Sequence, residues 1–99
     1  MARELDLKRF ADAGYRWNDN ILPDMTHEEQ NTHLLSSAEK AMSHSEWAVA
    51  YQILRELVWR DPRWKPEPWN LLSTSAEALG KIDEAKTARM NYSILSKHK

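Results

Sequence analysis

Slid along itself by 35 residues, the sequence pairs Leu34 with Trp69, Ala38 with Ser73, Ala41 with Ala76, Ser45 with Gly80, Trp47 with Ile82 and Ala50 with Ala85. Each pair keeps its size class or role. A bulky residue opens a helix, small residues follow where two helices approach closely, a turn residue comes next, and a bulky residue and an alanine begin the return helix. Self-similarity at this period marks stacked helical hairpins, because one hairpin cannot bury its apolar face alone and needs a neighbour. From Leu34 to Leu95 the apolar residues recur at helical spacing, and no alternating strand pattern runs for more than a few residues. The expected fold is therefore all-α, built from antiparallel hairpins stacked as a short solenoid.

Punctuation divides the chain into five helical segments. Pro23, the group Pro62, Pro66 and Pro68, and Gly80 are the residues least compatible with a helix interior. The first segment, about 4–17, puts Leu7, Phe10, Ala11 and Gly14 on one face, and Asn18, Asp19 and Asn20 then favour a turn. The second starts at Thr26, where Thr26-His27-Glu28-Glu29 reads as a capping box, and buries Leu34, Ala38, Ala41 and Met42. Ser45 reads as the N-cap of the third, which carries Trp47, Ala50, Leu54, Leu57 and Val58 until Asp61-Pro62 stops it. Pro68 suits the first turn of the fourth, with Trp69, Leu72, Ala76 and Leu79 on one face and Gly80 as a left-handed cap. The fifth runs from about Ile82 through Ala85, Ala88 and Tyr92 to Leu95.

This plan resembles the tetratricopeptide repeat. The second copy carries the opening half of that pattern as Trp69-x2-Leu72-Ser73, then Leu79-Gly80 and Asp83-Glu84-Ala85. The first carries the closing half as Trp47-x2-Ala50-x3-Leu54-x2-Leu57 and Asp61-Pro62. Four positions depart from it: Leu34 opens the first copy, Ser37 stands where Leu is usual, Arg89 replaces a bulky second-helix residue, and Lys97 falls where Pro would close the second copy. The resemblance implies an N-terminal helical extension over 1–25 and two repeats within 26–99, at about 31–64 and 66–99, with Lys65 as a one-residue insertion. It also implies a protein-protein interaction module, an adaptor, chaperone or assembly factor that holds a partner peptide or helix. Little tetratricopeptide-like chaperones of bacterial secretion systems are similar in size and architecture.

Carried over residue by residue, the implied groove is Leu35, Glu39 and Met42 in the first copy and Asn70, Thr74 and Glu77 in the second. The alternative for the same residues is a solvated polar face. The Lys and Asn pairs with which part of the family grips a C-terminal carboxylate have no counterpart, since Leu35 and Glu39 stand there. Glu39 and Glu77 suit a basic or amphipathic helical partner, with Leu35 and Met42 as adaptable apolar contacts. Two repeats fall short of the three usually needed to bury a continuous core. The expectation is that the first segment covers one end of the stack and that a second copy or a partner covers the other. The competing reading is a structural subunit that self-associates through its repeat ends, as a homo-oligomer.

Composition narrows the function classes. Ninety-nine residues hold one small core. Fourteen Lys and Arg against 15 Asp and Glu give a formal charge of -1, which sets up no field for nucleic acid or an anionic membrane. With no Cys there is no disulfide framework, thiolate zinc site or cysteine nucleophile. The N-terminal residues alternate charged with apolar, unlike a signal peptide, so a soluble cytoplasmic protein is expected. His27, His33, His44 and His98 lack metal-ligand spacing, and the acidic pairs Glu28-Glu29 and Asp83-Glu84 sit at helix starts, where capping and the helix dipole account for them. No metal, no cofactor and no enzyme activity are expected. Of five Trp, Trp47 and Trp69 fall at repeat-core positions. Trp17, Trp59 and Trp64 are candidate interface aromatics, with folding back over the seam between repeats as the alternative for the last two.

Overall fold

Thr26 opens the first helix in the computed structural model, which describes residues 26–97. Its hydroxyl accepts from the Glu29 backbone N–H at 3.1 Å, and the Glu29 carboxylate accepts from the Thr26 N–H at 2.8 Å. Both bonds of the expected capping box are present, and they satisfy donors that the helix start would otherwise orphan. The Thr26 backbone N–H, and after it the Thr26 hydroxyl, holds the Glu29 carboxyl below its ordinary value. Four helices follow: α1 (His27–Ser43), α2 (Trp47–Arg60), α3 (Glu67–Ala78) and α4 (Ile82–Ser96). The described residues are all-helical, without strands, and none of their helices is long and apolar enough to cross a membrane. The segment 4–17, with Tyr15 and Trp17, lies outside the described residues, as does His98.

The two turns that close α1 and α3 are copies of each other. Ser45 N–H donates to the Met42 carbonyl at 2.9 Å and Glu46 N–H to Ala41 at 2.8 Å; 35 residues on, Gly80 donates to Glu77 at 3.0 Å and Lys81 to Ala76 at 2.8 Å. This crossed pair of bonds is the Schellman arrangement, and it requires a left-handed residue after the cap. Gly80 supplies it at φ 80 without strain, while Ser45 supplies it at φ 59. The expectation that Ser45 is the N-cap of α2 is thereby corrected: its backbone ends α1, and Glu46 precedes α2 without a side-chain cap bond. Glu46 (φ -88, ψ 70) and Lys81 (φ -90, ψ 72) share a conformation, so both return helices leave in the same direction.

Pairs α1–α2 and α3–α4 form two hairpins, α2 lies against α3, and α1 touches α3 lightly. Ala38, Ala50, Ala76, Ala85 and Ala88 are buried where helices approach closest. Around them Leu54, Leu57, Leu72 and Trp69 are fully buried, each aliphatic side chain contributing about 1.5–3 kcal/mol. Trp69 also donates its indole N–H to the Pro62 carbonyl at 2.9 Å, which ties the proline-containing connection to the core. Four residues depart from the sequence reading, two of them Leu34 and Met42, which α1 holds only half-buried at the edge of the core. Leu79 is 37% exposed because it is the cap residue of α3, where the chain turns out of the helix, and Trp47 is only half-buried at the tip of its hairpin.

Polar residues reinforce both hairpins. Asn31 Nδ2 donates to the Asp61 carboxylate at 3.1 Å, and Arg60 donates to the Gln30 side-chain oxygen, so the start of α1 is tied to the end of α2. Between the hairpins, Tyr51 donates its hydroxyl to Glu84 at 2.6 Å while accepting from Arg55 at 3.0 Å, and Arg55 lies 3.6 Å from Glu84. The Lys81 ammonium sits 5.4 Å from the centre of the Tyr51 ring. Burial and the hydrogen bond to Glu84 push the Tyr51 hydroxyl up to about 12, with Arg55 opposing them, so at neutral pH it stays a donor.

Candidate functional site

Helical spacing arranges an exposed polar line along α3. Glu67, Asn70, Thr74 and Glu77 recur at i, i+3, i+7 and i+10, which keeps them on one side, and all four are exposed. The Thr74 hydroxyl donates to the Asn70 carbonyl at 3.3 Å, and Glu77 pairs with Arg89 of α4 at 3.5 Å. Across the seam, Glu39 of α1 reaches the Glu67 carboxyl. Partial burial, a hydrogen bond with Glu67 and the negative charge of that group raise the Glu39 carboxyl above its ordinary value, while Lys65 lowers it. Two acids from different hairpins therefore share one exposed spot.

The other first-copy groove candidates turn inward. Leu35 is 7% exposed and belongs to the core, so its expected role as a groove contact is corrected. Met42 is half-buried and packs on the same core. Their counterparts 35 residues on, Asn70 and Glu77, are exposed. This stripe of α1 is covered within the two-hairpin stack, and the matching stripe of α3 meets no further hairpin among the described residues. Chemically, the open line offers carboxylates, an amide and a hydroxyl, with the apolar contacts withdrawn into the core.

The interface aromatics divide. Trp64 is half-buried against the core and donates its indole N–H to Glu28 at 2.8 Å, with the Lys65 ammonium 4.4 Å from its ring centre. It folds back as a brace between the connection and α1. Trp59 stays 38% exposed on the outer side of α2, and Trp17 lies outside the described residues. A trough of about 420 Å³ also runs along α1, lined by Glu28, Glu29, Thr32, His33 and Ser36. Among the described residues no group of three His, Cys, Asp or Glu side chains is placed to hold a metal ion.

Sequence reasoning missed Tyr51, Arg55 and Glu84, which join α2 to α4, and the Asn31–Asp61 and Gln30–Arg60 ties. A signal for Asn31 was available, since it lies four residues before Leu35 and seven before Ala38, on the stripe α1 buries. No protein-family model matches the chain, and no curated protein or solved structure matches it.

Proposed function

We propose that this chain is a protein-protein interaction module of the tetratricopeptide-like kind, which receives a basic segment of a partner along Glu39, Glu67, Asn70 and Thr74. The meeting of the Glu39 and Glu67 carboxyls at the exposed α1–α3 seam carries this reading. Two carboxylates held together repel, and a Lys or Arg placed between them relieves the repulsion and gains charge-assisted hydrogen bonds. Asn70 and Thr74 continue the line with groups suited to a peptide backbone. The self-association reading gains no comparable support, because the outward residues of the last helix include the charges of Lys86 and Arg89.

The test is calorimetric titration of the full chain with a synthetic amphipathic Lys/Leu peptide, compared with a Glu39→Gln/Glu67→Gln variant. The expected outcome is binding weakened on the order of ten-fold in the variant, with a flatter salt dependence. Wild-type affinity should also rise with pH through the raised Glu39 value, since a bound cation favours the ionised form. Equal binding by both proteins, at every salt concentration, would sink the proposal.

A further inference from the structure

Each helix of the first hairpin has a counterpart in the second, and comparing their burial exposes an open seat. On α4, Thr87 is 9% exposed, Asn91 0% and Ile94 6%, and Glu84 is half-buried against Tyr51 and Arg55 of α2. The first hairpin meets this side of α4 at Glu84, through Tyr51 and Arg55 of α2. The same four positions on α2, 35 residues earlier, are Val49, Gln52, Glu56 and Trp59. There Val49 is 48% exposed, Trp59 38%, Gln52 is exposed, and Glu56 is half-buried. A surface that is covered in the second hairpin therefore stands open in the first, with two large apolar residues on it.

The two sides also differ chemically. The corresponding side of α1 carries the trough lined by Glu28, Glu29, Thr32, His33 and Ser36. On α2, helical spacing puts Glu56 on the same side as Val49, Gln52 and Trp59, and partial desolvation raises its carboxyl above its ordinary value while Arg60 opposes this. A helix that filled the seat would present apolar and small residues on one side.

The chain contains one such sequence, immediately before α1. Residues 4–17 set Leu7, Phe10, Ala11 and Gly14 on a single helical stripe, bordered by Glu4, Tyr15 and Lys8 on one side and by Asp6 and Trp17 on the other. Ala11 and Gly14 permit close approach, as Thr87 and Ala88 do on α4. The span of 14 positions equals the 14 residues of α2. The eight residues of 18–25 reach up to about 26–29 Å when extended, enough to return along a 17-residue α1 of about 26 Å.

We propose that residues 4–17 of this chain dock on the open side of α2, between Val49 and Trp59, and along the adjoining trough of α1. They stand to the first hairpin as the first hairpin stands to the second. Docking here leaves the Glu39–Glu67 seam free, so the proposal goes beyond the partner reading and does not depend on it.

The chain has no Cys, so paired cysteines in the full-length protein read the contact directly. Phe10→Cys is combined with Val49→Cys, with Gln52→Cys, or with Lys86→Cys on the far side of the stack, and each is oxidised mildly at low protein concentration. The expected result is a monomeric disulfide with Val49→Cys or Gln52→Cys, forming about ten-fold faster than with Lys86→Cys, as an intramolecular local concentration dictates. Equal rates at all three positions, or no monomeric disulfide in any pair, overturn the proposal. Disulfide-linked dimers from Val49→Cys alone also overturn it, since a second copy would then fill the seat. Gln52 is exposed in the described structure, which protects the test against loss of folding at Val49.

Discussion

Helices α2 and α4 occupy the same place in their hairpins, yet their forward sides, facing onward along the stack, differ in chemistry. On α2 that side is Tyr51, Leu54 and Val58, 7%, 0% and 1% exposed. On α4 the matching residues are Lys86, Arg89 and Ser93, the first two exposed and the third half-buried. Alpha2 meets the second hairpin with apolar side chains, while α4 ends the described stack in charge. A third hairpin docking as the second does would bury the Lys86 charge and the Arg89–Glu77 pair, at a cost of several kcal/mol. Alpha1 also carries polar residues on its outer side, with His33 and Lys40 exposed where Pro68 and Ser75 of α3 are buried, but Val49 and Trp59 of α2 leave an apolar surface open on that hairpin. Polar outer positions such as those of α4 end a stack of hairpins, which is the role of capping repeats in longer arrays.

The sharpest way to break this comparison is to exchange the two sides. Leu54→Arg puts the residue type of α4 into the seam and should cost more than about 4 kcal/mol, seen as loss of a cooperative thermal transition. Arg89→Leu, the reverse change, should shift stability by less than about 0.5 kcal/mol. The full exchange on α4, Lys86→Tyr with Arg89→Leu and Ser93→Val, should leave the helical circular dichroism unchanged and produce concentration-dependent association in light scattering. A variant that stayed monomeric at every concentration would show that polarity is not what ends the stack.

The paired turns allow a finer comparison. Ser45→Gly relieves a left-handed serine and should stabilise the protein by about 1 kcal/mol, whereas Gly80→Ala should destabilise it by about the same amount. A Cβ at Gly80 meets nothing within 4 Å, so the loss there comes from backbone conformation alone. Chemical denaturation of both variants checks the opposite signs.

The smallest expected effect lies at the α2–α4 bridge. The folded protein holds the Tyr51 proton up to about 12, above the ordinary tyrosine value, so the stability this group contributes is complete below about pH 10 and lost as pH rises toward 12. Denaturation midpoints of wild type should therefore fall more steeply over that window than those of Tyr51→Phe. Parallel curves would detach the hydroxyl from folding.

Much of this architecture was legible because it is local. Thr26 with Glu29, Pro68 in a first turn, Gly80 after α3 and Ile82 at the start of α4 each announce themselves within a few residues, and the structure places each as read. Ser45 misled because serine is a favoured N-cap, and only the crossed hydrogen bonds to Ala41 and Met42 reveal it as the end of the preceding helix. Leu35 misled for a non-local reason: whether its stripe is open depends on the neighbouring hairpin, which a resemblance carried over position by position does not register. The Glu39–Glu67 meeting was half legible. Glu39 was picked out from the sequence, but its partner comes from the other hairpin and becomes visible only once the two are stacked.

The indole of Trp69 anchored to the Pro62 carbonyl has a consequence for proteolysis. The connection presents Arg63 to any trypsin-like enzyme, the bond after Lys65 being protected by Pro66, and it lies between the end of α2 and the start of α3. Cleavage requires an extended stretch of backbone to enter a protease cleft. Here that backbone is stapled from one side by Trp69 and from the other by Trp64 through Glu28. Nicking at this junction must wait for those indoles to leave, so the rate of cutting between the hairpins measures how often the seam itself opens.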